Sequence, residues 1–191
     1  MIRAVPSFFH SSPPPFCFSR AARQAEFPAR FQLLAAMNPC PCGYLGDPQH
    51  ACSDTPDQIK RYRGRLSGPF LDRVDLFVEV PRIKRNPTNK HGPQEESSEA
   101  IRTRVTKAYE RQLERTGTAN ARLKPAQMKQ HCRLDDNDEA LLVNATDRLG
   151  LSSRAHDRIL RVARTIADLE DSKHIETPHI TEAINYRRYT R

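Results

Sequence analysis

Beyond Ser97 the apolar residues of this 191-residue chain settle into sustained helical spacing, and that switch predicts a mixed region followed by a helical one. Before Pro81 they form a continuous run within Phe27–Pro39, then an alternation of Val74, Leu76, Val78 and Val80 against Asp75, Phe77 and Glu79. Both patterns predict strands, the first a central one of a parallel sheet. Beyond Ser97 the spacing becomes helical. Ile101, Val105, Ala108 and Gln112 or Leu113 make one stripe, Leu141, Leu142, Ala145 and Leu149 a second, and Ile159, Val162, Ala163, Ile166 and Ala167 a third. The expected fold is an α/β piece with few parallel strands and some helix, followed by an all-α bundle.

Punctuation residues sharpen the boundaries. Thr55 caps a helix, Pro56 takes its first position, and Gln58 completes a capping box, so a helix is predicted to about Leu66. Gly117 ends the helix after Ser97, Pro125 starts a short one, Asp135 or Asp136 caps the next, and Gly150 stops it. Ser152 caps a longer helix, whose Arg154, Arg158, Arg161 and Arg164 alternate with its apolar stripe, and Thr177-Pro178 opens the last. Asn, Pro, Gly, Gln and Glu between Arg82 and Ser97 suit a linker. Prolines interrupt the opening residues, which excludes a secretory signal and predicts disorder over residues 1–18.

Composition removes several function classes. No G-x-x-x-x-G-K-[ST] match exists, only seven glycines are present, and no strand ending in paired carboxylates precedes Asn38, so the chain alone is expected not to hydrolyse ATP. No G-x-S-x-G or H-E-x-x-H pattern occurs, and His131, His156, His174 and His179 are expected at the surface. No apolar stretch reaches the roughly 20 residues of a membrane-spanning helix. A formal charge of +8 favours polyanionic partners, with a solvated basic face as the alternative.

Four places carry candidate chemistry. Asn38 ends the apolar run, where open α/β sheets place ligand-contacting groups, so its amide can orient a water or touch a nucleotide phosphate. Cys40, Cys42 and Cys52 follow at once, in a chain with five cysteines. Thiols so crowded suit a metal; Asp54 or His50 completes four donors, and zinc accepts either. Three reduced thiols in a loop are the alternative. Arg73 precedes the alternating run, suited to a neighbour's phosphate or to a salt bridge with Asp72 or Asp75. Arg154 opposes the dipole of its own helix unless an anion compensates; a phosphate does so, and Asp157 and Glu170 are structural alternatives.

From Ser19 to Arg191 the chain resembles the C-terminal part of the magnesium-chelatase-like AAA+ ATPases of the ComM/YifB type. The resemblance rests on Ser19–Arg23, Phe27–Pro39, Cys40–Tyr44, Thr55–Tyr62, Ser67–Pro81, Gly150–Arg154 and Val162–Leu169, in that order. It implies an AAA+ core remnant with a cysteine-rich insert over residues 19–81, a linker over 82–97 and a helical lid over 98–191, residues 1–18 being a leader foreign to the family. By the resemblance Asn38 is sensor 1, Arg73 the arginine finger offered to an adjacent subunit and Arg154 sensor 2. Arg20 and Arg23 then lie on the remnant of a hairpin that faces DNA in related motors. The family implies cytoplasmic hexamers on DNA, competence and branch-migration helicase-like, using ATP and Mg2+. Here Walker A and Walker B are missing, and Asp54 stands where members with the cysteine motif have a further Cys, so zinc would rest on Cys40, Cys42, Cys52 and Asp54. The resemblance thus implies a non-autonomous fragment that needs P-loop-containing subunits or a missing N-terminal half. A stand-alone, basic DNA-binding module with zinc and no catalysis is the alternative.

Overall fold

Side chains a few residues away hold most of the helix starts among the described residues. The structure is a computed structural model that describes residues 2–6, 15–20, 23–28, 31–81 and 96–188, with side chains from Gln32 onward within those ranges. It forms two compact units, residues 1–62 and 63–191. Residues 82–95 of the expected linker lie outside the described residues.

In the first unit the strands are β1 (Ile2–Pro6), β2 (Pro15–Arg20), β3 (Arg23–Pro28) and β4 (Phe31–Ala35). β2 and β3 form an antiparallel hairpin whose closing pair is Arg20 and Arg23, while β4 pairs antiparallel with β1, from Ile2 opposite Ala35 to Pro6 opposite Phe31. Two expectations are corrected here. The described strands are antiparallel, because two residues between β2 and β3 permit only a hairpin and a parallel pair needs a crossover of a dozen residues or more. The segment expected to be a disordered leader supplies β1 and most of β2. Helix α1 (Pro56–Arg63) opens as its residues predict: the Gln58 Oε1 accepts from Thr55 N at 2.7 Å and Thr55 Oγ1 from Gln58 N at 3.4 Å.

The second unit is helical: α2 (Gly68–Leu71), α3 (Ser98–Thr116), α4 (Pro125–His131), α5 (Asp136–Arg148), α6 (Ser153–Leu169) and α7 (Thr177–Asn185). Ser97 caps α3 through Ala100 N at 3.2 Å, Gly117 ends it at φ +69°, and Asp135 caps α5 through Asp138 N at 2.8 Å. The core gathers Leu142 of α5, Ile159, Ala163 and Ile166 of α6, and Ile180, Ala183 and Ile184 of α7, with Leu123, Met128 and Cys132 below them. α3 contributes Ala108 and Gln112; Ile101, Val105 and Leu113 of its expected stripe are exposed, as are Leu141 of α5 and Leu149 just after it. His179 is buried, not superficial: its Nδ1 accepts from Glu176 N and its Nε2 meets Glu170, both at 2.9 Å.

The expected strand at Val74–Val80 is absent among the described residues. Instead the segment docks on α7's end: Phe77 N donates to Tyr186 O at 2.8 Å, Arg187 donates to Val74 O, and the Arg187 guanidinium lies 5.7 Å from the Phe77 ring centroid. Leu76, Val78 and Val80 are 48, 65 and 85% exposed, so the apolar face faces solvent. Alternation buries a face only where a neighbouring sheet covers it.

Candidate functional site

Beyond β4 the chain makes one tight turn that gathers sulfur. Gly43 N donates to Cys40 O at 3.1 Å with Gly43 at φ +83°, a conformation that costs a residue with a Cβ. The Sγ atoms of Cys40 and Cys42 lie 3.3 Å apart, those of Cys40 and Cys52 3.6 Å, and those of Cys42 and Cys52 3.5 Å. Asp54 Oδ2 sits 3.8 Å from Cys52 Sγ and accepts from Cys42 N at 2.8 Å. All four donor atoms fall within 4.8 Å of one another. A tetrahedral ion with bonds of about 2.3 Å to sulfur needs sulfurs about 3.8 Å apart, so a small expansion of this cluster admits one. Cys40 is fully buried, which shields the cluster on one side.

His50, the competing donor, points elsewhere. Asp47 Oδ1 accepts from the backbone of Gln49 and His50 at 2.7 and 3.1 Å and lies 3.5 Å from His50 Nδ1, while the Tyr44 ring stacks 5.0 Å away. The thiols differ in acidity. Asp54 pushes the Cys42 thiol up, but hydrogen bonds from the Tyr44 backbone, Cys40 and the Ser53 backbone outweigh it and bring Cys42 down to about 7. For Cys52 the Asp54 backbone pulls down, yet burial and the adjoining Cys42 and Cys40 raise it to about 11. The Cys42 N–H holds the Asp54 carboxyl below its usual range. A cation reaching this loop finds the Asp54 carboxylate and, in Cys42, a thiol that ionises more readily than Cys52.

Asn38 lies three residues beyond β4 and is exposed, with its amide against Gly43. Arg20 and Arg23 face each other across the hairpin turn; their side chains lie outside the described residues.

In the helical unit Arg73 follows α2, is exposed, and donates from Nη1 to Pro69 O at 2.7 Å. Asp75 is taken by Arg158 of α6, an ion pair that pins the segment after Arg73 against the helix carrying Arg154. Arg154 itself is exposed in α6's first turn and makes no hydrogen bond or ion pair with another described residue. Its two alternatives are otherwise engaged: Asp157 lies 3.9 Å from His156, and Glu170 holds His179. Ser152 occupies the cap position but makes no capping bond, and its buried Oγ has no partner among the described residues.

Sequence reasoning missed the buried ionic centre of the helical unit. Arg164 and Asp168 are 2 and 1% exposed, joined at 3.0 Å one helical turn apart, and Arg164 also donates to Ser172 O and Lys173 O at 2.6 and 2.9 Å. Arg115 of α3 grips both oxygens of Asp168 at 2.7 Å, and Asn120 Nδ2 reaches Oδ2 at 2.8 Å. Burial raises the Asp168 pKa, but Arg115, Asn120 and Arg164 overcome it and hold the carboxyl below its usual range. The one signal in the sequence was an Arg and an Asp four residues apart within the most apolar helix face.

Two family models match the chain in succession: magnesium chelatase subunit ChlI over residues 15–88, and the C-terminal model of the same subunit over residues 95–187. The competence protein ComM of Haemophilus influenzae is 47% identical over 173 residues, covering 91% of this chain and 34% of that protein. YifB of Salmonella typhimurium and YifB of Escherichia coli are each 44% identical over 173 residues, with the same 91% and 34% coverage. This chain therefore spans about a third of the length of the curated relatives it matches. Among the described residues no helix is long and apolar enough to cross a membrane. The order of the two matches and these identities place the chain in the magnesium chelatase ChlI-like family, as a match to the C-terminal region of its ComM and YifB members.

Proposed function

We propose that the chain supplies the sensing and lid elements of a DNA-associated AAA+ ATPase, and that it turns over nucleotide only in company with a P-loop-bearing subunit or segment. The observation that carries this reading is the start of α6. There an exposed Arg154 and an unsatisfied Ser152 Oγ stand together at a positive helix end, an arrangement that favours an anion. In the proposed assembly, Arg154 binds the nucleotide phosphates as sensor 2. Arg73, on a short rigid turn at the surface, neutralises charge on the phosphoryl group held by a neighbouring subunit, a task that needs position and charge but no covalent bond. Asn38 orients the attacking water as sensor 1. Residues 19–81 act as the core remnant and 98–191 as the lid.

Zinc fits the loop of Cys40, Cys42, Cys52 and Asp54, where it would act as a structural staple. Magnesium would enter with ATP. DNA is the proposed polyanion, drawn by the formal charge of +8 and touched through the hairpin of Arg20 and Arg23, in a cytoplasmic hexamer. The test is complementation. The purified chain is mixed with a fragment of a ComM-type protein that carries the P-loop, and ATP hydrolysis is followed with and without DNA. Hydrolysis that needs both pieces supports the proposal. If mixing restores none while DNA binding persists, the chain is a non-catalytic basic module.

A further inference from the structure

We infer that metal held by the cysteine loop positions Asn38, so that the loop is the orienting floor of the amide and not a remote staple. This inference rests on the proposed metal reading and deepens it. Asn38 makes no hydrogen bond with another described residue, so packing and chain connectivity alone set the direction of its amide. Gly43 is a near neighbour of that amide across the turn: a Cβ built there would meet Asn38 Nδ2 at 3.4 Å and Cγ at 3.7 Å. Gly43 is in turn held by the bond from its N–H to Cys40 O, and it immediately follows Cys42.

Pro39 and Pro41 fix φ on either side of Cys40, which leaves the turn's remaining freedom at Cys40, Cys42 and Gly43. Thiols are weak hydrogen-bond donors and acceptors, so contacts of 3.3 to 3.6 Å among three of them contribute little on their own. A firmer bond, Cys42 N to Asp54 Oδ2 at 2.8 Å, ties the turn to Asp54. An ion that binds Cys40, Cys42 and Cys52 with Asp54 locks Cys40 and Cys42, hence the turn, hence the surface under Asn38. Gly43 and Asp54 are positioning residues in this arrangement: the first takes the φ of +83° that turns the chain back toward the amide, the second ties the turn to the ligand set.

The test uses the whole 191-residue chain with Zn2+ and Co2+ alone. Cobalt is expected to give thiolate charge-transfer absorption and the visible bands of a tetrahedral site. The side-chain amide signal of Asn38 in a nitrogen-15 spectrum, assigned by its loss in Asn38→Asp, is expected to shift and sharpen as Zn2+ is added. Cys42→Ser is expected to weaken cobalt uptake about tenfold or more, with the Asn38 shift falling in step. Three results would overturn the inference: no thiolate–cobalt spectrum, full metal uptake with an unmoved Asn38 signal, or an Asn38 shift undiminished in Cys42→Ser. Nucleotide chemistry is scored separately. A metal-coupled Asn38 signal in a chain that fails complementation keeps the coupling and discards the sensor role, and restored hydrolysis with an unmoved signal does the reverse.

Discussion

Two guanidinium groups share one carboxylate at Asp168, and that sharing decides how the helical unit responds to mutation and to acid. Removing the carboxylate leaves Arg164, 2% exposed, as a buried charge with only carbonyl partners. Asp168→Ala is expected to cost about 3 to 5 kcal/mol in urea unfolding. The pH dependence has a definite sign. The native carboxyl is held below its usual pKa of 3.8, so the unfolded chain binds the proton first as pH falls. Its stabilisation is whole above the usual value and drains away as pH drops through the depressed native one. Denaturation midpoints measured against pH should show that acid loss, and Asp168→Asn should flatten it. Arg73 differs in kind. It is exposed and holds only a carbonyl, so Arg73→Ala should leave stability within about 0.5 kcal/mol while lowering complemented hydrolysis by about a thousandfold or more.

Helix ends were legible in this sequence where the pairing of strands was not, and the reason is the range of the interactions that define them. Thr55 with Gln58, Ser97, Gly117 and Asp135 each act within four residues, so their chemistry can be read without knowing the fold. β4 needs β1, some thirty residues earlier by the register of Ile2 with Ala35, and nothing local announces that pairing. Val74–Val80 carries a strand's alternation without a strand's neighbour, and Phe77, placed on the polar side by that alternation, is the residue that meets Arg187. Arg164 went unread as a core residue because charge in an apolar stripe is intelligible only with its partners in view. In the site, spacing gathered the three thiols but left Asp54 and His50 open; the fold brings Asp54 to the thiols and His50 to Asp47. Caps make a paired test. Asp135→Ala should cost about 1 kcal/mol, whereas Ser152→Ala, which loses no capping bond, should cost less than about 0.5 kcal/mol in the same unfolding measurement.

At the level of the whole chain, a formal charge of +8 spread over 191 residues predicts salt-sensitive association with DNA. The logarithm of the binding constant should fall linearly with the logarithm of salt concentration, and Arg20→Ala and Arg23→Ala should each reduce the slope by about one. Binding indifferent to salt would dismiss the polyanion. The exposed Leu76, Val78 and Val80 have a different reach. A greasy fringe beside polar backbone is what chaperones and quality-control proteases seize. An orphan copy of this polypeptide should therefore be short-lived in the cell, and its abundance would be set less by synthesis than by how soon a companion shields that edge.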